Sequence, residues 1–492
     1  MVAAGTSVEM AAGLRAALRE TSTIELRLDW LRSDAERARF LRWLRMHCPR
    51  HAVLIATCRR REGGGLFRGN VQAELYWLAQ ARDAGCLWCD LEIETLRKLP
   101  GQSLRSYFVP PRVLLSAHDF GRTPPLNRLI PARLRREADT IKIAAIARSI
   151  ADSVSLLRFT RNTPNSVVVS MGEIGLPARL LALREGSALA YAPVSAATAP
   201  GQVSLRELKH LYSAHRLNRK TRVYGVIGNP IAHSLSPLLH NTAFRARKLN
   251  AVYLPFLVKD LRDFLSFAAD FGLRGFSVTL PHKQAILRHL SACEPLAAEI
   301  GAVNTVTVLS DGSLYGCNTD YVGILRALEK KLRLAGSRIL IFGAGGAARA
   351  AAFALAKAGA LVGICARREE AAHELARAVG GEVIPRRALR GLSFDAIINA
   401  TPIGMHPHGQ ISPLSSRELN CRIVMDLINR PQKTQLLKLA ASKGIATVPG
   451  VEMFVPQGVA QWDIWLEKRA PEAAMRRAVL AALRAEENSR AR

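Results

Sequence analysis

Short runs rich in apolar and β-branched residues alternate with longer amphipathic stretches in the first part of the chain. The runs lie at 24–28, 51–58, 86–91, 112–117, 140–145, 166–170 and 188–193. The stretches between them, such as 34–47 and 151–159, carry apolar residues at helical spacing. Regular alternation of strand and helix favours a parallel sheet. Seven strands are predicted, against the eight of a closed (β/α)8 barrel. The missing strand would precede the helix predicted at 7–18, where only the stub 1–4 remains.

The alternating pattern restarts at residue 224 and continues to the C-terminal region. A strand, a helix and two more strands are predicted by residue 283, and a hairpin with a type I′ turn is predicted at Asp311-Gly312. Residues 338–370 then read as strand, glycine-rich turn, helix and strand, which is the dinucleotide-binding arrangement. We therefore expect α/β architecture throughout. The expected domains are a (β/α)8 barrel at 1–218 with its first strand truncated, a two-domain α/β reductase at 222–332 and 333–458, and helices at 459–485 that pack back on the second domain.

The amino-acid composition is strongly basic. The 492 residues include 69 Lys and Arg against 40 Asp and Glu, a formal charge of +29. Because the arginines are scattered through predicted helices, a solvated basic surface is the preferred interpretation. Nucleic-acid binding stays a minority hypothesis, which retention on DNA at physiological salt would test.

Cysteine usage and hydropathy indicate the compartment. Eight widely spaced cysteines do not form a disulfide framework, and Cys86 and Cys89 are interpreted as packing residues in a reducing compartment. There is no basic segment ahead of an apolar one at the N-terminus, and no uncharged apolar run reaches the roughly 18 residues that a membrane helix needs. We expect a soluble, cytoplasmic protein without a metal site, since no His/Cys cluster has ligand spacing.

Polar residues concentrate at the ends of the predicted barrel strands, where barrel enzymes carry their chemistry. These residues are Glu25, Arg27, Asp29, Arg59, Asp90, Glu92, His118 and Asp119. Lys142 lies inside the apolar run 140–147, which would desolvate its amine and favour the neutral, nucleophilic form. Taken singly, Lys142 reads as a paired lysine and His118 as a loop histidine. Together they indicate imine chemistry with a proton-transfer partner.

Six motifs in this part carry a family resemblance. They are ELRLD (25–29), DLE (90–92), LSAHDFGRTP (115–124), IKIA (141–144), SMGEIGLPAR (170–179) and APGQ (199–202). In this order they resemble the type I 3-dehydroquinate dehydratases, which are (β/α)8 barrels. The resemblance implies that Lys142 forms a Schiff base with the substrate ketone, that His118 moves the proton and that Glu92 orients His118. It further implies that the substrate is bound by Glu25, Arg27, Arg59, Arg179, Thr198 and Gln202.

Three departures from that family and one rival interpretation stay open. The first strand is cut to a stub, so the start of the chain is annotated late or the barrel is completed otherwise. The spacing after Cys58 leaves a choice among Arg59, Arg60 and Arg61. Thr198 stands where the family commonly has Ser, which preserves the hydroxyl. A class I aldolase would share the lysine imine, but it would not be expected to carry the whole motif set.

The second half contains a nucleotide motif and an acid/base pair. Gly343, Gly345 and Gly346 suit a tight turn against a pyrophosphate, and the motif as a whole is Gly343, Ala344, Gly345, Gly346 and Ala347. Arg367 and Arg368 follow the second strand, where an NAD enzyme usually has Asp or Glu, and they favour NADP. Ordinary solvated arginines are the alternative. Lys283 and Asp320 are able to serve as proton donor and its holder, or to form a surface ion pair.

A second resemblance runs from residue 222 to 465. Its motifs are NPIAHSLSP (229–237), FSVTLPHK (276–283), GAVNT (301–305), GCNTDYVG (316–323), GAGGAARA (343–350), NATPIGM (399–405) and PGVEMFVPQG (449–458). They resemble shikimate dehydrogenase. The resemblance implies a catalytic pair of Lys283 and Asp320, NADP on 343–347 with Arg367, and substrate on Ser234, Ser236, Thr279, Asn304 and Gln457. Ser277 replaces a common Asn, and Asn429 replaces an expected Tyr near the substrate ring.

The two resemblances together imply a bifunctional enzyme. It would dehydrate 3-dehydroquinate to 3-dehydroshikimate and then reduce that product to shikimate with NADPH, and its partners would be these small molecules. The alternatives are a quinate or shikimate dehydrogenase with a weak or inactive barrel, and a regulatory or scaffold protein with a dead barrel. The sequence leaves the oligomeric state open.

Overall fold

A computed structural model provides the fold, and it describes residues 1–49, 51–99, 112–131, 135, 138–193, 203–406 and 408–490. The chain divides into two compact units. One contains Met1–Thr221 and Phe256–Asp270, and the other contains Arg222–Pro255 and Phe271–Arg492. None of the helices in the described part combines the length and apolar composition needed to span a bilayer.

The first unit is built on a parallel sheet in which each strand pairs with the next along the chain. The strands are β1 (Thr23–Arg27), β2 (Val53–Thr57), β3 (Trp88–Glu92), β4 (Val113–Asp119), β5 (Thr140–Ile146) and β6 (Ser166–Met171). The helices in the described part are α1 (Ser7–Leu18), α2 (Asp34–His47), α3 (Val71–Asp83), α4 (Ile93–Lys98), α5 (Leu126–Leu129), α6 (Ile150–Asn162) and α7 (Leu176–Glu185). Because a helix follows each of these strands, the carboxyl ends of the strands form one rim.

Local sequence explains where several of these helices begin. The side chains of Thr6, Ser33, Asn70 and Ser149 accept a backbone N–H from the first turn of α1, α2, α3 and α6 respectively. Such caps satisfy donors that have no partner within the helix, and each contributes about 1 kcal/mol.

Two irregular segments complete the curled sheet into the predicted (β/α)8 barrel. Val2 forms a parallel bridge with Leu26: its N–H donates to Glu25 O at 2.8 Å, and its carbonyl accepts from Arg27 N at 3.0 Å. On the far side, Ala188 N donates to Ser166 O at 2.9 Å, and the Met1 amino group donates to Ala192 O at 3.1 Å. The stub therefore occupies the place of the first strand.

The prediction of a regular strand at 188–193 is wrong. The segment lies beside β6, but its backbone follows no strand geometry. Pro193 lacks an N–H and is unable to donate to a ladder, which removes one bond from so short a segment. The eight cysteines are free thiols, and Cys86 and Cys89 are buried, as expected for packing residues.

The second unit begins with a mixed sheet in the order β10-β12-β11-β9-β7-β8. Its strands are β7 (Arg222–Gly228), β8 (Ala251–Leu257), β9 (Leu273–Val278), β10 (Ala292–Cys293), β11 (Thr305–Val308) and β12 (Leu314–Cys317). The accompanying helices are α8 (Ser236–Ala246), α9 (Leu261–Asp270), α10 (Pro295–Ile300) and α11 (Asp320–Leu328), of which α9 belongs to the first unit. The predicted hairpin joins β11 to β12, but its turn is not type I′. Gly312 alone has a positive φ (+85°), and the Asp311 carboxylate holds the loop by accepting from Ser313 N at 2.9 Å.

The same unit contains a parallel sheet in the order β15-β14-β13-β16-β17-β18, the doubly wound order of a Rossmann domain. The strands are β13 (Arg338–Phe342), β14 (Leu361–Cys365), β15 (Glu382–Val383), β16 (Phe394–Asn399), β17 (Cys421–Asp426) and β18 (Ala446–Val448). The helices are α12 (Gly346–Lys357), α13 (Glu369–Val379), α14 (Gln435–Ser442), α15 (Val451–Leu466) and α16 (Glu472–Arg490). Of the last two, α15 packs along α11 and α16 packs against α8.

Two candidate active sites

Lys142 lies at the centre of the barrel site, on β5. Its ammonium donates to Asp90 Oδ2 at 2.7 Å and lies 3.8 Å from Glu25 Oε1. The ring of Tyr191 lies below it, with 4.2 Å from Nζ to the ring centroid. The side chain is only 4% exposed. The expectation of an apolar setting is therefore wrong: the sequence neighbours of Lys142 are apolar, but its side chain points into the barrel, where two carboxylates face it.

His118, at the end of β4, shares Glu92 with Arg59. His118 Nδ1 lies 3.0 Å from Glu92 Oε2, and Arg59 Nε donates to Glu92 Oε1 at 2.5 Å. Burial and the nearby Arg59 guanidinium lower the pKa of His118, so the imidazole is neutral near pH 7. Burial alone would raise the pKa of Glu92, but Arg59 and His118 outweigh it and lower that pKa. An ionised Glu92 then accepts from the Nδ1–H of His118 and leaves Nε2 free to take a proton.

The structure distinguishes Arg59 from its neighbour Arg60. Arg59 lies 3.6 Å from Asp90 Oδ2 in addition to its bond with Glu92, and within the described ranges its buried Nη2 atom has no hydrogen-bond partner. Arg60 instead donates to Glu74 at 2.7 Å and to Thr95 at 3.1 Å, away from Lys142 and His118. Of the two, Arg59 is placed to meet a substrate.

Glu25 and Arg27 lie on β1 beside Lys142. Glu25 accepts from Thr57 Oγ1 at 2.7 Å; burial would raise its pKa, but Lys142 and Arg27 lower it. Arg27 is held by Asp29 through two hydrogen bonds of 2.9 and 2.7 Å. Much of the Arg27 guanidinium is therefore engaged within the protein.

Arg179, near the start of α7, is a partly buried cation without a carboxylate partner in the described part of the chain. Its Nε donates to the Ser170 carbonyl at 2.6 Å. Burial lowers its pKa from 12.5 to about 10. A half-buried guanidinium in this state is suited to a carboxylate ligand, which would accept two parallel hydrogen bonds. Thr198 and Gln202 lie outside the described residues.

Ser116 and Tyr191 lie near Lys142 but were absent from the predicted site, whereas Asp90 was named as a strand-end residue and given no role. Ser116 Oγ lies 2.5 Å from Asp90 Oδ1 and 3.0 Å from Glu92 Oε1, so it joins the lysine partner to the histidine partner. Tyr191 has a buried hydroxyl without a hydrogen-bond partner in the described part of the chain. Asp90 had a signal in the sequence, because residues two apart on a strand face the same side and Glu92 was already a candidate. Ser116 had the same signal, because it lies two residues before His118 on β4, whereas no sequence signal pointed to Tyr191.

The second site surrounds Lys283 and Asp320. Lys283 Nζ donates to Asp320 Oδ2 at 2.5 Å. Asn304 Nδ2 donates to Asp320 Oδ1 at 2.8 Å and to Thr319 Oγ1 at 3.0 Å, while Thr319 N donates back to Asn304 Oδ1 at 2.7 Å. Both hydrogens of the Asn304 amide are therefore used within the protein. Asn304 fixes the carboxylate that holds Lys283.

The remaining predicted substrate residues lie on neighbouring elements of the same unit. Ser234 precedes α8, and its Oγ accepts from Ser236 N at 3.2 Å. Gln457, on α15, accepts from Thr319 Oγ1 at 3.4 Å, which joins it to the Asn304 cluster. Thr279 follows β9 and is half-buried, with its N–H donating to Ile227 O at 2.9 Å.

The glycine-rich turn connects β13 to α12. Gly343 has φ +123°, a conformation that side chains rarely adopt. Gly345 is exposed, and a Cβ built on it would meet nothing within 4 Å, so the backbone before the helix faces open space. A Cβ on Gly346 would lie 3.5 Å from Lys283 Cδ, which places the start of α12 beside the catalytic pair. Ala344 and Ala347 flank these glycines and are partly exposed.

Arg367 and Arg368 follow β14 at the carboxyl edge of the Rossmann sheet. Both are exposed, and neither has an acidic partner within the described residues. The open glycine turn and these cations fit a dinucleotide with a 2′-phosphate.

Asn429, predicted near the substrate ring, follows β17. Its Oδ1 atom is buried and has no hydrogen-bond partner among the described residues. A Cβ on Gly450 would come within 3.0 Å of that oxygen, which places Asn429 close to the start of α15 and two helical turns from Gln457.

Comparisons with known proteins agree with the family resemblance of each half of the chain. The family model of type I 3-dehydroquinase matches residues 1–219, that of the shikimate dehydrogenase substrate binding domain matches 226–306, and that of the shikimate 5′-dehydrogenase C-terminal domain matches 450–480. The chain is 34% identical over 478 residues to a chloroplastic bifunctional 3-dehydroquinate dehydratase/shikimate dehydrogenase of Arabidopsis thaliana, covering 91% of this chain and 78% of that one. It is 41% identical to a shikimate dehydrogenase (NADP(+)) of Methanothermobacter thermautotrophicus, covering 51% of this chain and 93% of the relative.

Solved structures resemble the second half. The shikimate 5-dehydrogenase of Thermus thermophilus in complex with NADP(H) and shikimate matches with a TM-score of 0.50 and 35% identity, covering 54% of this chain and 100% of that one. A shikimate dehydrogenase in complex with NADP+ matches with a TM-score of 0.51 and 38% identity, covering 54% and 97%.

Proposed function

Because the chain belongs to the family of bifunctional 3-dehydroquinate dehydratase/shikimate dehydrogenase enzymes, we propose that it catalyses two consecutive steps. The barrel dehydrates 3-dehydroquinate to 3-dehydroshikimate, and the reductase converts that product to shikimate with NADPH. The observation that carries the proposal is the presence of two complete acid/base constellations, His118–Glu92 with Lys142 and Lys283–Asp320 with Asn304.

In the barrel, Lys142 attacks the substrate ketone and water leaves as the imine forms. Asp90 takes up the ammonium proton, because it already accepts from Nζ at 2.7 Å. Neutral His118 then removes the proton α to the iminium, whose positive charge receives the electron pair, and returns a proton to the departing hydroxyl, which leaves as water. A second water hydrolyses the product imine, which releases the ketone and restores the Lys142 amine. Arg179 binds the substrate carboxylate. Glu25, Arg27, Arg59, Thr198 and Gln202 are proposed to hold the ring hydroxyls and close the site.

The imine is tested by borohydride reduction during turnover of 3-dehydroquinate. Mass spectrometry of the digested chain should locate the adduct on Lys142. Lys142→Ala should lose both the adduct and dehydration, and an unlabelled wild-type chain that still dehydrates the substrate would contradict the imine.

In the reductase, NADPH supplies the hydride to the carbonyl carbon of 3-dehydroshikimate. Lys283 donates a proton to the oxygen as negative charge develops there, and Asp320 holds the ammonium in place. The cofactor would be held by Gly343, Ala344, Gly345, Gly346 and Ala347 at the pyrophosphate and by Arg367 and Arg368 at the 2′-phosphate. Ser234, Ser236, Thr279, Asn304 and Gln457 are proposed to surround the substrate.

A crossed assay separates the two sites. With 3-dehydroquinate as the starting substrate, Lys142→Ala and Lys283→Ala should each abolish oxidation of NADPH. With 3-dehydroshikimate, only Lys283→Ala should do so. If Lys142→Ala also abolished oxidation from 3-dehydroshikimate, the two-site assignment would be wrong.

The proposed domain limits are 1–218 for the dehydratase, 222–332 with 459–485 for substrate binding in the reductase, and 333–458 for NADP binding. Packing of α16 on α8 supports the return of the C-terminal helices to the substrate domain. We also propose that the enzyme works in the cytoplasm on these small molecules without nucleic acid.

Asn429 favours a second candidate, a dehydrogenase that also accepts quinate. Its Oδ1, which has no partner among the described residues, is a hydrogen-bond acceptor in a different position from the hydroxyl of the expected tyrosine. Comparison of kcat/KM for oxidation of shikimate and quinate, in the wild type and in Asn429→Tyr, tests this. An unchanged ratio would remove Asn429 from the explanation.

A further inference from the structure

His240 is buried behind the reductase site and has no role in the steps above. It lies on α8, the helix that begins at Ser236, and it is 0% exposed. Its ring stacks on Tyr253, with 4.4 Å between centroids. His240 Nε2 lies 3.1 Å from Gln461 Oε1, while Nδ1 has no partner among the residues that the structure describes.

Gln461, on α15, connects His240 to the polar residues of β9 and β11. Its Oε1 also accepts from Ser277 Oγ at 3.0 Å. Its Nε2 donates to Thr305 Oγ1 at 3.1 Å and lies 3.4 Å from Asn304 O. The oxygen and the NH2 group of the Gln461 amide are therefore both engaged in hydrogen bonds.

The bonds beyond Gln461 lead to the catalytic pair. Thr305 Oγ1 accepts from Gln461, so its single proton is free to go to Asn304 Oδ1 at 2.8 Å. Asn304 Nδ2 then donates to Asp320 Oδ1 at 2.8 Å. With the Thr305 proton on Asn304 Oδ1, the bonds run in one direction from Gln461 to Asp320, and the Thr305 hydroxyl also lies 3.2 Å from Thr319 Oγ1.

The direction of these hydrogen bonds, from Gln461 to Asp320, depends on which ring nitrogen of His240 carries the proton. Burial lowers the pKa of His240 to about 4, so the ring is neutral near pH 7 and has one N–H. With that proton on Nε2, the Nδ1 lone pair is the one polar group of the ring that lacks a hydrogen-bond partner among the described residues. With the proton on Nδ1, a buried N–H would be unmet, and Nε2 would require the NH2 end of Gln461.

A reversed Gln461 amide would disturb Asn304. Its oxygen would then face Thr305 and take the hydroxyl proton that now goes to Asn304 Oδ1. Asn304 would lose one of the bonds that fix its amide, and with it the fixed geometry of its bond to Asp320.

We propose that His240 is a positioning residue of the reductase site. Its Nε2–H fixes the Gln461 amide, and Gln461 orients Asn304 through Thr305. Because Asn304 fixes the Asp320 carboxylate, His240 controls the proton donor Lys283 without touching the substrate. This inference rests on the proposed reductase function.

The kinetic test uses variants that keep the ring stack or the donor. His240→Phe should lower kcat for reduction of 3-dehydroshikimate about tenfold, as expected when one buried hydrogen bond is lost, and leave the affinity for NADPH unchanged. His240→Gln, which can place a donor near the Nε2 position, should restore most of kcat. The matched control is His373→Phe, at an exposed histidine on α13, which should have wild-type kcat.

A double-variant cycle shows whether His240 acts through Gln461. If it does, His240→Phe combined with Gln461→Leu should have the same kcat as Gln461→Leu alone. Additive losses, or a normal kcat in His240→Phe with lower thermal stability, would overturn the proposal and leave His240 as a packing residue.

A second measurement requires no turnover. Histidine-selective ¹⁵N NMR of the full chain, with His240→Phe to assign the resonance, should show Nε2 protonated and Nδ1 unprotonated at pH 7. Protonation at Nδ1 would overturn the proposal even in an active enzyme. Absence of reductase activity in the wild type would instead count against the proposed function, and the tautomer would still decide the inference.

Discussion

The charged, half-buried Arg179 lowers the free energy of unfolding of the barrel, and we attribute its presence to substrate binding. Its pKa falls from 12.5 to about 10 because its guanidinium is buried without a counter-ion. Each pKa unit corresponds to about 1.4 kcal/mol, so keeping the free site charged costs about 3 kcal/mol at most. Arg179→Met keeps much of the side-chain volume and removes the charge. The free energy of unfolding of the barrel should then rise by about 1–3 kcal/mol, with the lower value allowing for residual contact with water.

The same substitution should cost activity. Loss of a charge-assisted, two-bond contact with the substrate carboxylate should raise the KM of dehydration roughly 30- to 1000-fold. Stability is measured by urea titration with hydrogen exchange of peptides from β4, β5 and β6, which reports the barrel separately from the reductase. Dehydration is followed by the absorbance of its product.

Arg59→Met is the matched control. Arg59 is more buried than the half-buried Arg179 but is paired with Glu92 and Asp90, and these carboxylates raise its pKa although burial would lower it. Its removal leaves buried carboxylates without their partner and should destabilise the barrel by about 3–5 kcal/mol. If Arg179→Met destabilised the barrel as well, Arg179 would have a counter-ion, and its assignment to the substrate carboxylate would fail.

Three further predictions concern the reductase. Arg367→Ala with Arg368→Ala should raise the KM for NADPH about 10- to 100-fold and leave that for NADH nearly unchanged, as steady-state kinetics with both cofactors will show; equal losses for both would contradict the 2′-phosphate site. Gly343→Ala should weaken NADPH binding, measured by its fluorescence, because φ is +123° and the new Cβ would lie 3.1 Å from Ala400 O; unchanged affinity would show that the turn adapts. The pKa of His240 is about 4 in the fold and near 6.5 when unfolded, so the unfolded chain binds the extra proton between these values and stability falls as pH drops through that window. The wild type should lose about 3 kcal/mol relative to His240→Phe between pH 6.5 and 4, as urea titrations at each pH will show, and parallel curves would place His240 in contact with water.

The sequence predicts residues that lie next to a motif better than residues that meet across the fold. Lys142, His118, Glu92 and Lys283 were predicted from strand-end position and motif spacing, which are local properties. The partners of Lys142 come from other strands, and its apolar sequence neighbours concealed them. Choosing Arg59 over Arg60 likewise required knowing which strand end each side chain faces.

The elements show the same limit. Alternation predicted β1 to β6 and the first two strands of the Rossmann sheet, β13 and β14, because hydrophobic period and turn residues are encoded locally. The segment 188–193 has the composition of a strand, but pairing depends on neighbours that are distant in sequence. The stub at Val2 gave too little pattern to read, yet two backbone hydrogen bonds place it in the sheet. The network from His240 to Asp320 joins four elements and left no pattern in any one of them.

The hydrogen bonds that Asn304 makes within the protein fix the Asp320 carboxylate before a substrate binds. Both amide hydrogens of Asn304 are engaged before any ligand arrives, and one of them holds the carboxylate. The loss of rotational freedom at Asp320 and Lys283 is therefore incurred during folding and not on each encounter with a substrate. A molecule entering this cleft meets groups already in their working positions, and the entropy of binding should reflect the ordering of the ligand far more than that of the protein.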